Sequence, residues 1–263
     1  MSGKCFVITG GASGLGEATV RALFDAGHDV AVFDRDDASE LISELNCNAR
    51  GNKATSYEVD VTDYESVKKA VDGAVSAHGA LNGCINSAGV GSASLTVGRG
   101  NEPHNPDIFD FVTKVNLYGT FNVSSLVAAA MSKLPAGDDN TRGVIINVAS
   151  VAALEGQKGQ LAYSASKGAV VGMTLPMARD LARYGIRVMC IAPGIMDTPM
   201  MAMASQKVRD GLVRGVPVKR FGTPEEFASL CCEIVNNGYL NGELVRLGKF
   251  LFFSSDRLFL TTN

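Results

Sequence analysis

The chain has 263 residues, 46% of them apolar and 19% charged, with a formal net charge of −3. A chain of this length can bury about three quarters of its unfolded surface, and its composition excludes disorder as a whole-chain description. The slightly acidic balance excludes nucleic-acid binding written in bulk charge, and no apolar run approaches the ~18–20 residues of a membrane span.

Short apolar runs rich in Val and Ile recur along the chain. They lie at Cys5–Ile8, Asp29–Phe33, Thr55–Val59, Leu81–Ile85, Gly143–Val148, Ile186–Ile191 and Glu243–Leu247. Helical patterns fall between them, near 15–27, 37–49, 63–78, 108–133, 160–184 and 224–236. About seven strands alternating with amphipathic helices predict an α/β fold. It should be a doubly wound, mainly parallel seven-stranded sheet with helices on both faces. The alternation leaves no linker, so a single domain over 1–263 is expected. Two stretches break the rhythm and are read as substrate loops: a polar loop at 91–107 and a Met-containing loop at 194–222. Both follow the carboxyl ends of predicted strands, where open α/β sheets bind ligands.

Lys4 to Thr9 already reads as a strand, which leaves no room for a signal peptide. The six cysteines show no C-x-x-C spacing, and the three histidines share no ligand spacing with them. Free thiols, no structural metal and an intracellular setting, cytoplasm or mitochondrial matrix, are expected.

The first strand runs into Thr9-Gly10-Gly11-Ala12-Ser13-Gly14-Leu15-Gly16, where a helical pattern begins. Glycines let backbone N–H groups approach a pyrophosphate, and a helix N-terminus favours the anion. Asp34 ends the second strand, 18 residues after Gly16 and close to the expected spacing of about 20. A carboxylate there accepts hydrogen bonds from both adenosine ribose hydroxyls and repels a 2′-phosphate, which favours NAD. Arg35 is the one feature that favours NADP. Further on, Tyr163 and Lys167 share one helix face at i, i+4. Ser150 ends a predicted strand thirteen residues before Tyr163, and Asn116 lies mid-way along the predicted helix at 108–133.

These motifs, in this order, resemble the short-chain dehydrogenase/reductase family over nearly the whole length. The matches are the glycine motif at 9–16, Asp60-Val61, Asn86-Ser87-Ala88-Gly89, Asn116, Ser150, Tyr163 with Lys167, and Pro193-Gly194 followed by Thr198. Ser87 departs from the usual second Asn. Within the family, Asn147–Gln157, Gly159-Gln160, Tyr163–Gly168, Gly172–Leu181 and Asn116–Val123 look like the type II 3-hydroxyacyl-CoA dehydrogenases. The resemblance stops after Leu247.

The resemblance implies a Rossmann fold and hydride transfer between NAD and the 3-hydroxy/3-oxo carbon of an acyl-CoA, with steroid alcohols as a further class. It makes Tyr163 the proton donor and acceptor, with its pKa lowered by Lys167 and the nicotinamide. Ser150 would stabilise the substrate oxygen, and Asn116 would hold a water. Gly10, Ser13, Leu15, Gly16, Asp34, Asp60, Val61, Asn86, Ser87, Gly89, Tyr163, Lys167, Met196 and Thr198 would bind the cofactor. Gln157 and Gln160 would line the substrate pocket near Ser150. Met196, Met200, Met201 and Met203 offer an adaptable acyl wall. Arg99, Lys207, Arg209, Arg214, Lys219 and Arg220 are candidate cations for the CoA phosphates. A homo-oligomer, commonly a tetramer, is implied, and the apolar tail around Phe250–Leu260 is a candidate interface. Two other readings stay open: an NADPH-dependent 3-oxoacyl-carrier-protein reductase, and a cofactor-bound scaffold in a complex.

Overall fold

The computed structural model describes residues 3–137 and 139–248. The strands are β1 (Cys5–Thr9), β2 (Asp29–Asp34), β3 (Ala54–Glu58), β4 (Gly83–Asn86), β5 (Gly143–Val148), β6 (Ile186–Pro193) and β7 (Leu244–Leu247). The helices are α1 (Gly14–Asp25), α2 (Ser39–Cys47), α3 (Tyr64–His78), α4 (Pro106–Thr113), α5 (Thr120–Met131), α6 (Leu161–Ala182), α7 (Pro199–Ala202), α8 (Gln206–Gly215) and α9 (Pro224–Asn236).

All seven strands pair in parallel, in the order β3-β2-β1-β4-β5-β6-β7. The expected mainly parallel sheet is therefore parallel throughout. The central strands are buried on both faces because helices cover both, so their sequences read as continuous apolar runs. One face packs Ile8, Val32, Ile146 and Ile191 against α1 and α9; the other packs Val7, Phe33, Ile145 and Val188 against α3 and α5. The strand order reverses between β1 and β4, and a crevice opens there at the carboxyl ends of the strands.

Two expectations from the sequence need correction. The helix read over 108–133 is not continuous α-helix. Between α4 and α5, Lys114–Gly119 forms a π-turn, and Asn116 sits in it. The segment 194–222 is not a bare loop, since it holds α7 and α8. A four-residue and a ten-residue helix are too short for a periodic signal to stand out beside the flanking Gly and Pro.

Among the described residues, no helix is long and apolar enough to cross a membrane, and no group of His, Cys, Asp and Glu could hold a metal ion. All six cysteines are free. The tail proposed from its apolar residues as an interface, Phe250 to Leu260, lies outside the described residues.

Candidate active site

The glycine motif forms the turn between β1 and α1. Gly10 has φ +64°, and a Cβ there would press on the backbone of Ala88 at 3.0 Å. A Cβ on Gly16 would fall 2.0 Å from the Gly10 carbonyl oxygen. The loop is thus closed against the turn after β4 and against the first turn of its own helix. Ser13 is the N-cap residue of α1, yet its side chain makes no capping bond. The first N–H groups of α1 have no side-chain acceptor from that residue, as an anion cradle requires. Leu15 packs its side chain on the core below.

Asp34 stands at the end of β2 beside this cradle. Its Oδ2 accepts from the Ala12 N–H at 2.9 Å, and its Oδ1 accepts from the Asp36 N–H at 3.1 Å. The carboxylate is therefore pinned to the glycine loop. Asp60, after β3, accepts from the Thr62 N–H and hydroxyl, while Val61 is buried against Gly119.

Asn86 and Ser87 lie in the turn after β4, but the Asn86 amide turns inward. It donates to Ser124 Oγ at 2.8 Å and to Asn147 Oδ1 at 2.9 Å, beneath α5. Ser87 Oγ is buried with no partner among the described residues. Any contact of Asn86 with a cofactor must then come from its main chain.

Ser150, Tyr163 and Lys167 come together where β5 ends and α6 begins. Ser150 caps the short 3-10 turn Val151–Ala153 by accepting from the Ala152 N–H at 3.1 Å, and its hydroxyl acts on the Tyr163 phenol beside it. Lys167, 4% exposed, donates to the Val148 carbonyl at 2.8 Å and lies 5.9 Å from the Tyr163 ring centroid. Burial lowers the Lys167 pKa to about 8, partly offset by Cys190 nearby. Burial pushes the Tyr163 phenol above its usual value, and the Ser150 hydroxyl pulls it part of the way back. In the free protein the tyrosine is thus not the lowered phenol the motif implies.

Asn116 is fully buried. Its Oδ1 accepts from the Val90 N–H at 2.8 Å, and its Nδ2 donates to the Val90 carbonyl at 3.0 Å and to Ser166 Oγ at 3.0 Å. Ser166 in turn donates to the Tyr163 carbonyl. The π-turn aims the amide at the turn after β4, which it staples to α6; π-turns of this kind recur at functional sites. The sequence pointed to Asn116 as a holder of water, and the structure gives its amide this clamping task. Val90, Ser166 and the Val148 carbonyl were missed. Only Ser166 carried a signal, lying between Tyr163 and Lys167 on the same helix.

The remaining candidates separate. Gln160 Oε1 accepts from the Gln157 N–H at 2.9 Å, so that side chain shapes the turn before α6. The polar loop 91–107 is laced to this turn through the Ser94 N–H to Gly159 carbonyl bond. Thr198 caps α7, and with Pro199 it lies over Gly14 of the cradle. The four methionines do not make one wall. Met196 is buried in the core, Met203 is 82% exposed, and only Met200 leans over Gly91.

The pattern of the short chain dehydrogenases matches residues 4–209. The chain belongs to the short-chain dehydrogenase family. As a member it is an oxidoreductase, built on the family's Rossmann fold. It is 45% identical over 249 residues to the 3-hydroxyacyl-CoA dehydrogenase type-2 of Homo sapiens, covering 94% of each chain. The crystal structure of 3-hydroxyacyl-CoA dehydrogenase type-2 from Mycobacterium avium matches with a TM-score of 0.88 at 38% identity, over 97% of this chain and 98% of that one. A 3-oxoacyl-[acyl-carrier-protein] reductase of Thermotoga maritima is 35% identical, over 93% of this chain and 96% of its own.

Proposed function

We propose that this short-chain dehydrogenase oxidises the 3-hydroxyl of acyl-CoA thioesters with NAD, and reduces the ketone in reverse. The observation that carries the reading is the Ser150–Tyr163–Lys167 cluster, in which buried Lys167 is fixed to the Val148 carbonyl at 2.8 Å and its Nζ lies 5.9 Å from the Tyr163 ring centroid. Relatives named as 3-hydroxyacyl-CoA dehydrogenases support the substrate class.

The residues fit a dinucleotide. Gly10 and Gly16 leave a cradle that a Cβ would close, and the Asp34 carboxylate stands beside it for a ribose diol. Bound there, the nicotinamide supplies the hydride acceptor. The substrate hydroxyl sits against Ser150 Oγ and Tyr163 Oη. Tyr163, as its phenolate, takes the hydroxyl proton and becomes the neutral phenol as the C3 hydride leaves, and Ser150 stabilises the charge developing on the oxygen. Lys167 is fixed by Val148 under the tyrosine, where its positive charge favours the phenolate. Asp34 repels a 2′-phosphate, so the carrier-protein reductase reading with NADPH is disfavoured.

The lid cations expected to hold the CoA phosphates are partly engaged already. Arg209 pairs with Asp197, Arg220 pairs with Glu226, and Lys219 donates to the Arg214 carbonyl. Lys207 and Arg214, both exposed on α8, are the cations of 194–222 left for that role.

A homo-oligomer, tetrameric by resemblance, in the cytoplasm or mitochondrial matrix belongs to the same reading. Its support is a set of exposed large apolar side chains on α4, α5, α6 and the π-turn between α4 and α5. They are Phe111 (50% exposed), Tyr118 (57%), Phe121 (51%), Leu161 and Leu175, side chains that a second copy of the chain would cover.

The test is a panel of acyl-CoA and non-CoA alcohols and ketones run with NAD(H) and NADP(H). Turnover of short 3-hydroxyacyl-CoA substrates, faster with NAD, is expected. Preference for NADP, or no acyl-CoA turnover, overturns the reading.

A further inference from the structure

The segment over the glycine cradle is joined to α8 by a charged pair. The backbone of Ile195–Asp197 is laced to Gly222: the Asp197 N–H donates to the Gly222 carbonyl at 2.8 Å, and the Gly222 N–H donates to the Ile195 carbonyl at 2.9 Å. Thr198 and Pro199 follow directly. Their side-chain atoms lie 3.5–3.7 Å from where a Gly14 Cβ would be, so this strap rests on the phosphate loop. From α8, Arg209 reaches back over a cleft of about 330 Å³ to the same strap. Its Nη2 donates to Asp197 Oδ1 at 3.0 Å, and its guanidinium lies 5.3 Å over the ring of Phe221, next to Gly222.

We infer that Arg209 and Asp197 form a latch that positions the strap 195–199 over the cofactor cradle, so that breaking the pair speeds cofactor release. The inference rests on the reading of the cradle as a dinucleotide site. The physical ground is that neither end of the pair is redundant. Backbone bonds fix the strap to Phe221-Gly222, but the Asp197 and Phe221 contacts of Arg209 are what tie α8 to it. The guanidinium is well suited to the task, because its planar face stacks on Phe221 while its edge donates to the carboxylate. The Asp197 side chain is 60% exposed and that of Arg209 is 24% exposed. The pair can therefore open without exposing core.

The experiment measures NADH dissociation by stopped-flow fluorescence from the full chain and from Asp197→Asn, Arg209→Gln and the double variant, with thermal melting in parallel. Each single variant should release NADH about two- to five-fold faster. The double variant should be no faster than the quicker single, because one contact is lost in all three. Arg209→Lys keeps the charge but not the flat stacking face, and should fall between wild type and Arg209→Gln. Release rates unchanged in both single variants, or additive in the double, overturn the latch while leaving the dinucleotide site intact. So does a lower melting temperature with no change in release. If wild type binds no NADH at all, the reading of the cradle fails and the latch fails with it.

Discussion

Lys167 donates to the main-chain carbonyl of Val148 at 2.8 Å, which ties helix α6 to the end of β5, two residues before Ser150. This bond fixes the lysine under Tyr163, in a place so removed from water that its pKa falls to about 8. Between about pH 8 and the unfolded value near 10.4, the unfolded chain holds more protons at this residue than the folded one. Folding stability from Lys167 therefore rises with pH across that window, and below it the buried charge costs about 3 kcal/mol. Lys167→Met removes the titration. Its melting temperature relative to wild type should be highest near pH 7 and should fall as pH rises to 10. Turnover is lost at every pH. A melting difference that does not change with pH would show that the charge is not buried in solution.

Tyr163 stands in the first turn of α6, beside Ser150. Tyr163→Phe keeps the ring and loses only the ionisable oxygen. General acid–base transfer contributes roughly 10²–10⁴-fold, so kcat should fall by at least about 100-fold. NADH affinity, measured by fluorescence titration, should stay within a few-fold of wild type. Substantial turnover in the variant would assign the proton to another group.

The doubly wound sheet was legible because strand and helix periods alternate without interruption, and because Gly10–Gly16, Asp34, Ser150, Tyr163 and Lys167 occupy chain positions that the sheet order brings to one edge. What escaped was set by side-chain direction rather than by order. The Asn116 amide is aimed by a π-turn that has no sequence period. Asn86 sits at a cofactor position yet turns inward to Ser124 and Asn147 because the parallel register sets it beside Asn147 beneath α5. The burial that raises the Tyr163 phenol is likewise recorded by no linear motif.

Asp34 has two tasks in this geometry. It anchors the Ala12 N–H of the glycine loop, and it presents a negative charge where an adenosine ribose would sit. Asp34→Ala should raise KM for both cofactors, because the loop loses an anchor. The rise should be larger for NAD, since hydrogen bonds to a charged group are worth about 1.5–3 kcal/mol. The ratio of kcat/KM for NAD over NADP should fall by at least about tenfold. A ratio that holds steady would remove Asp34 from cofactor choice.

Gly89 shows how little room the site leaves. A Cβ there would lie 3.1 Å from Asn116 Oδ1 and 3.3 Å from Lys167 Nζ. Gly89→Ala must push one or both aside. Small misplacements of catalytic groups lower rates steeply, so kcat should fall by about tenfold or more while circular dichroism stays that of wild type. Wild-type kcat in this variant would mean that the Asn116 clamp and the lysine tolerate displacement.

The phosphates of CoA require cations, and Arg209 and Arg220 are held in ion pairs with Asp197 and Glu226. An arginine already paired offers an incoming phosphate less than an unpaired one, because its carboxylate partner must first be displaced or left to repel the anion. Lys207 and Arg214 stand exposed on α8 without that handicap. If the CoA moiety is gripped, acetoacetyl-CoA should have a higher kcat/KM than the same acyl group on a short thioester lacking the nucleotide. The advantage should shrink as salt is raised, since exposed charge pairs are screened beyond about 10 Å at 0.1 M. Lys207→Ala and Arg214→Ala should raise KM for acetoacetyl-CoA and leave the short thioester unaffected, whereas Arg220→Ala should act on both alike. If the nucleotide contributes less than a few-fold, the phosphate contacts do not exist. The pocket then selects for the acyl end alone, and a small alcohol or steroid becomes the better substrate.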